Sequence, residues 1–169
     1  MQQWSDAWYL LRCRENTWRT TLQNLSEAGI KTCCPLILER RRRRDKKNSY
    51  RLINYPAFPG YIFVRFNPAQ IHTTAIKRMP GAMDFVRFGN QIATIQQEEV
   101  NAMKLIHHDL PTVSLGTEHL TDERVNIPAD VLKRIEQIFN AEKGTERNHL
   151  MFLMIREQFF KKNKPLSME

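Results

Sequence analysis

Two groups of side chains in this sequence have types and spacings suited to chemistry, and both point to binding rather than bond making. The first is "ERRRRRDKK", in which Arg40, Arg41, Arg42, Arg43 and Arg44 are followed by Lys46 and Lys47. A guanidinium is a planar fork that pairs a phosphate bidentately, and an ammonium is a compact point charge. Such contacts give affinity and position on a polyanion but read no sequence. The competing reading is a solvated charge tip on a hairpin. The second group is "PAFPGYIFVRF", which holds Phe58, Pro59, Tyr61 and Phe63. In a strand from Gly60 to Phe66, Ile62, Val64 and Phe66 share one face while Tyr61 and Phe63 share the other. A second aromatic face is either buried core or the material of an interface hot spot.

Catalysis finds no comparable footing. His107 and His108 are adjacent and lack metal-ligand spacing with any cysteine or carboxylate pair. Cys13, Cys33 and Cys34 form no CxxC motif and read as buried or idle thiols. The chain has no phosphate-cradling glycine loop, no nucleophile elbow and no paired carboxylates on a predictable scaffold. The expectation is a non-enzyme with no cofactor and no metal.

Composition bounds the class. A chain of 169 residues, 41% hydrophobic, can build one good core or a domain plus a small appendage. A formal net charge of +8 favours a polyanionic partner, most often nucleic acid. The longest apolar run, Leu150 to Ile155, is far too short to span a bilayer, and the N-terminus has no signal-peptide pattern. These features predict a cytoplasmic protein with no membrane partner.

The elements that must position the two groups follow from periodicity. "AWYLLRC" is strand-like, and "ENTWRTTLQNLSEAG" puts Trp18, Leu22 and Leu25 at helical spacing with Gly29 as a cap. "IKTCCPLIL" returns to strand, leads through the basic run and comes back into the aromatic strand. "NPAQIHTTAIKRM" predicts a helix with Asn67 as N-cap and Pro68 at the first helical position. "DFVRF" and "QIATI" form a hairpin about Gly89-Asn90, and "QQEEVNAMKLIHH" a further helix. The order predicts an α+β sandwich of antiparallel sheet and helices over residues 1–108. Residues 109–124 read as a linker. In residues 125–169, Val131, Leu132, Ile135, Ile138 and Phe139 fall on one helical stripe, and "NHLMFLMIREQFFKK" is a second apolar segment. Helices near 129–142 and 146–161 are predicted. Short helices this apolar must lie against something, and the face of Tyr61 and Phe63 is a candidate.

At this point a family likeness emerges. "WYLLRC", "PAFPGYIFVRF", "IHTTAIKRMPG" and "DFVRFG" stand in the order and spacing of the N-terminal domain of NusG-type transcription elongation factors. "IHTT" together with "FVRFG" most resembles the RfaH-like specialised branch, and a paralogue carried by a conjugative plasmid or other mobile element fits that resemblance. Residues 7–106 carry the match; 124–162 resemble the RfaH-like C-terminal domain more loosely.

The resemblance implies a monomeric regulator of bacterial RNA polymerase that suppresses pausing and termination. It implies that Tyr9, Phe58, Pro59, Tyr61 and Phe63 grip the clamp helices of the largest subunit, and that His72, Thr73 and Thr74 meet the gate loop of the other large subunit. It implies contacts to the non-template DNA strand from Arg14, Arg19, Lys77 and Arg78, and to the upstream or non-template DNA from the basic run Arg40–Arg44 with Lys46 and Lys47. Unpaired bases can be read by stacking and by their Watson–Crick edges. It implies an autoinhibitory C-terminal helical hairpin seated on the aromatic patch through Leu132, Ile135, Ile138, Phe139, Arg147, Leu150, Met151 and Met154. In this branch that hairpin can refold into a β-barrel that contacts the ribosome. Here "PADVLKRI" lacks the glycines of the barrel's first turn, which favours helix. Arg147 matches the branch's interdomain arginine, but Tyr55 stands where its acidic partner would be. A neutral contact, a cation–π contact or apolar packing alone are the open alternatives. From the residues alone, a general single-stranded nucleic-acid (RNA) binding module and a self-associating assembly protein also stay open.

Overall fold

In the computed structural model, which describes residues 5–106 and 127–162, the sheet is organised about β1 (Ala7–Cys13). Along one edge β1 pairs antiparallel with β5 (Tyr61–Phe66), from Ala7 opposite Phe66 to Arg12 opposite Tyr61. Its other edge is shared by β9 (Thr94–Ile95) and β6 (Ala82–Phe85), with a register shift between Arg12 and Cys13. β2 (Lys31–Cys33) extends the sheet beyond β5. Two ribbons complete the strands: β3 (Leu36–Arg42) with β4 (Tyr50–Pro56), and β7 (Arg87–Phe88) with β8 (Gln91–Ile92). The fold is the expected α+β arrangement of antiparallel sheet and helices.

Helices cover both faces of the sheet, because β1 and β5 are apolar on both. Tyr9, Leu11, Ile62, Val64 and Phe66 pack with Leu25 of α1 (Trp18–Glu27) and Ile76 of α2 (Thr73–Lys77). Trp8, Leu10 and Phe63 pack on the opposite face with Val100, Ala102 and Met103 of α3 (Gln97–Ile106). The same cluster continues into α4 (Ala129–Phe139) and α5 (Gly144–Lys162), which contribute Ile135, Ile138, Met151, Met154 and Ile155. In α5 the buried residues Arg147, Met151, Met154 and Ile155 recur at helical spacing. Burying each of these Ile and Met side chains stabilises the docked pair by about 1.5–3 kcal/mol gross.

Helix ends follow local chemistry. Gly29, at φ +78°, ends α1 as expected, with the Ile30 N–H donating to the Leu25 carbonyl at 3.0 Å. The expected start of α2 moves. Asn67 Oδ1 does accept from the Ala69 N–H at 2.9 Å, but it closes only a turn. The helix proper begins at Thr73, where His72 Nδ1 accepts from the Thr74 N–H at 3.1 Å and caps it. The helices expected at 129–142 and 146–161 are observed as α4 and α5, separated by residues 140–143. The linker expected at 109–124 and the pair His107-His108 lie outside the described residues.

The α1–α2 corner depends on Gly81. Its φ is +88°, its carbonyl accepts from the Arg14 N–H at 2.9 Å, and an added Cβ would lie 2.1 Å from Thr21 Oγ1. Thr21 is fully buried, so it has little room to retreat. Gly81→Ala should therefore destabilise the protein by roughly 2–3 kcal/mol, seen as a lower urea midpoint with an unchanged m-value.

Candidate functional site

The aromatic face is built where β4 turns into β5. Gly60, at φ +84°, lets the chain reverse after Pro59, so that Phe58 folds back over Phe63. Their rings meet edge to face, with centroids 5.8 Å apart. Tyr61 lies beside them, and Arg12, opposite Tyr61 across the β1–β5 ladder, edges the patch.

The C-terminal helices cover this face. Phe139 of α4 packs on Phe58 at 5.4 Å between centroids, and Phe152 of α5 packs edge to face on Tyr61 at 5.1 Å. Phe58 and Phe63 are left 1% and 0% exposed, so they are core side chains while the cover is seated. Of the residues expected to dock, Ile135, Ile138, Arg147, Met151 and Met154 are buried, while Leu132, Phe139 and Leu150 pack half-buried at the margin.

Tyr9 is a correction. It lies on the other side of the sheet, because β1 alternates and Tyr9 pairs with Val64 rather than with Phe63. Its ring packs 5.0 Å from Phe66, its hydroxyl donates to the Ser5 carbonyl at 2.9 Å, and burial pushes its pKa up. It cannot belong to the same surface as Tyr61 and Phe63.

Arg147 resolves how the two parts are tied without an acid–arginine pair. Its Nε donates to the Ala57 carbonyl at 2.7 Å, across to the chain just before Phe58. Its Nη1 donates to the carbonyls of Ala141 and Glu142, at 2.7 and 3.0 Å, and fixes the turn between α4 and α5. The latch is therefore a cation held by backbone carbonyls. Burial pulls the Arg147 pKa down, and the neighbouring carboxylates Glu39 and Glu146 oppose that shift. Tyr55 takes no part: it stacks under Arg41, 4.7 Å from ring centre to guanidinium, and its hydroxyl donates to Glu15 at 3.4 Å. Asn148 adds a second tie, donating from Nδ2 to the Pro59 carbonyl at 3.0 Å.

Two basic surfaces flank this centre. The β3–β4 ribbon runs in register from Leu36 opposite Pro56 to Arg42 opposite Tyr50. Residues 36–56 hold eight basic and two acidic side chains, and so +6 of the chain's +8. Arg41 pairs with Glu39 at 3.1 Å and Arg43 with Asp45 at 2.8 Å, while Arg40 stacks on Tyr50 at 3.9 Å. Arg43 also holds the Asp45 carboxyl below its usual range. Arg42, Arg44, Lys46 and Lys47 line an open hollow with Arg43 and make no ion pair among the described residues. The second surface is the α1–α2 corner. Arg14 and Arg78 are exposed there, Arg19 stacks on Trp18 at 4.5 Å, and Lys77 pairs with Asp84 at 3.3 Å. His72 and Thr74 are exposed at the start of α2, with Thr73 half-buried between them.

Sequence reasoning missed three residues of this seam. Gly144 opens α5 against Pro59, Asn148 bonds the Pro59 carbonyl, and Glu99 is a buried carboxylate on α3. Only Glu99 left a signal, four positions before Met103 on the buried stripe of its helix. Burial pushes the thiols Cys13 and Cys33 up to about 11 and Cys34 higher still, which disfavours the nucleophilic thiolate form. Among the described residues no cluster of His, Cys, Asp and Glu could hold a metal, and no helix is long and apolar enough to cross a membrane.

The family model described as "Transcription termination factor nusG" matches residues 6–104. The chain belongs to the NusG family. NusG proteins act in transcription elongation and termination and bind RNA polymerase. A solved structure described as "Domain interaction in Thermotoga maritima NusG" is similar at 18% identity and a TM-score of 0.40, over 66% of this chain and 67% of that one.

The approach of Gly144 to Pro59 offers a lever on the cover that leaves the aromatic residues untouched. An added Cβ would lie 2.6 Å from Pro59 Cγ, part of a rigid ring. Gly144→Ala should weaken seating of α4–α5 by about 1–3 kcal/mol. Hydrogen exchange should then show reduced protection in α4 and α5 and unchanged protection in β1 and β5.

Proposed function

We propose that this NusG-family protein is an RfaH-like specialised regulator, held inactive by its own C-terminal helices until it meets a transcribing polymerase. The observation that carries this reading is the cover: Phe139 and Phe152 sit on Phe58 and Tyr61, the aromatics that the family resemblance assigns to the polymerase clamp helices. A face of this size left bare would be a site for unwanted association. With the cover displaced, Phe58, Pro59, Tyr61 and Phe63 bind the clamp helices, and His72, Thr73 and Thr74 reach the gate loop of the second large subunit. Bridging the cleft suppresses pausing and termination.

Recruitment uses the basic surfaces. Arg14, Arg19 and Arg78, with Lys77, take the unpaired non-template strand, while the β3–β4 ribbon holds phosphates. The concentration of charge on residues 36–56 supports this assignment. The C-terminal helices, once free, are the segment for a ribosome contact.

Removing the latch should activate, and removing the patch should inactivate. Arg147→Ala should bind polymerase more tightly than the parent chain, because the seated state forfeits the hydrogen bond to the Ala57 carbonyl that crosses the seam. Tyr61→Ala in that background should weaken binding by roughly 1–3 kcal/mol. A latch variant with unchanged polymerase affinity in a competition assay, despite detached helices, would defeat the masking role.

Replacing Arg41, Arg42, Arg43 and Arg44 by Gln should weaken binding to a transcription bubble at low salt. The dependence of log K on log salt should flatten by roughly 0.7–0.9 for each phosphate that is no longer neutralised. Preference between bubble sequences should change little. A salt slope identical to that of the parent chain would return the run to a solvated tip.

A further inference from the structure

A carboxylate is buried at the seam between α3 and the C-terminal helices, where no part of polymerase or DNA binding needs one. Glu99 of α3 is 1% exposed. Its Oε1 accepts a close hydrogen bond from Gln158 Nε2 of α5, and its Oε2 accepts from the Gln96 N–H at 3.4 Å. Its neighbours on α3, Val100, Ala102 and Met103, are all buried in the apolar cluster shared with α4 and α5. The charged groups facing it are Arg134 from α4, Lys162 from α5 and Glu98 from its own helix. Among the described residues, none forms an ion pair with it.

We propose that Glu99 and Gln158 form a titratable clasp, which seats α4–α5 most tightly when Glu99 is protonated and slackens the seat when it ionises. This rests on the reading of α4–α5 as a releasable mask. A primary amide offers both a donor and an acceptor, so Gln158 can pair reciprocally with a neutral carboxyl group; an ionised one uses only the donor. The ionised form also loses water on burial and receives no cation at contact distance in return. Burial accordingly pushes the Glu99 pKa from 4.5 up to about 7, with Arg134 and Lys162 opposing part of the rise. Lifting α5 lets water reach Glu99 and returns it to the ordinary range.

The sign follows from linkage. Seating is strongest below about 4.5, weakens as pH rises towards about 7, and is level above that. Across the window the detached fraction rises by up to about tenfold per pH unit, since one proton is released on opening. The clasp makes the mask acid-tightened, with its upper limit near neutrality.

Nuclear magnetic resonance of the full chain from pH 5 to 8.5 tests this, following the Glu99 side-chain carboxyl carbon and the methyl groups of Met151, Met154 and Ile155. Glu99 should titrate near 7, and the detached fraction should climb from pH 5 to 7 and then level. Glu99→Gln should hold the detached fraction flat at the acid-side value. A parent Glu99 titrating near 4.5, or the same climb in Glu99→Gln, overturns the clasp; the carboxyl titration decides even if the variant does not fold. Polymerase affinity at each pH separates the two readings. Affinity that ignores a pH-dependent detached fraction leaves the clasp standing and removes the mask. An affinity gain on Arg147→Ala, with Glu99 titrating in the ordinary range, leaves the mask and removes the clasp.

Discussion

The structure turns on a strand that is apolar on both faces. β5 places Ile62, Val64 and Phe66 on one side and Tyr61 and Phe63 on the other, and each side needs a cover that excludes water. α1 and α2 supply the first. α3 supplies only part of the second, through Val100, Ala102 and Met103, and the remainder comes from α4 and α5. A polymerase surface presenting apolar groups to Phe58, Tyr61 and Phe63 would satisfy the same requirement. On the function proposed above, the helices and the polymerase would compete for that one face, and their difference in affinity would set the fraction of chains that is active.

The polar ties of the seam run to backbone carbonyls rather than to a carboxylate. Arg147 and Asn148 reach backbone carbonyls at the turn leading into β5, which fixes where α5 starts. Carbonyl acceptors remain solvated when the helices leave, so neither side of the latch is stranded as an unpaired buried charge. An acid–arginine pair in the same place would bind its two halves more selectively and would depend more on salt. The apolar stripe supplies most of the attraction, and the polar ties set its register.

Most of the net charge lies away from this seam. The β3–β4 ribbon carries most of the net positive charge, and the aromatic patch carries none beyond Arg12 at its margin. In the proposed function, that division would let phosphate contact steer encounter over distance while the patch gives short-range fit.

Much of this was legible in the sequence. The strand character of β1, the period-two alternation of β5, the helical stripe of α4, the apolar segment of α5, Gly29 as a cap and the basic ribbon all follow from local rules that tertiary packing did not disturb. Four ordered motifs carried the family. Other features required the assembled fold. The start of α2 moved because His72 outcompeted Asn67 as its cap, a choice between two local acceptors that spacing does not rank. Tyr9 went to the far face because register with β5, where it pairs with Val64, fixes which side it occupies. The partner of Arg147 was hidden because backbone carbonyls have no residue signature, and the approach of Gly144 to Pro59 joins residues 85 positions apart. Burial pushes the Glu99 pKa up to about 7, and that burial is made by elements distant in sequence, so it leaves no local signature.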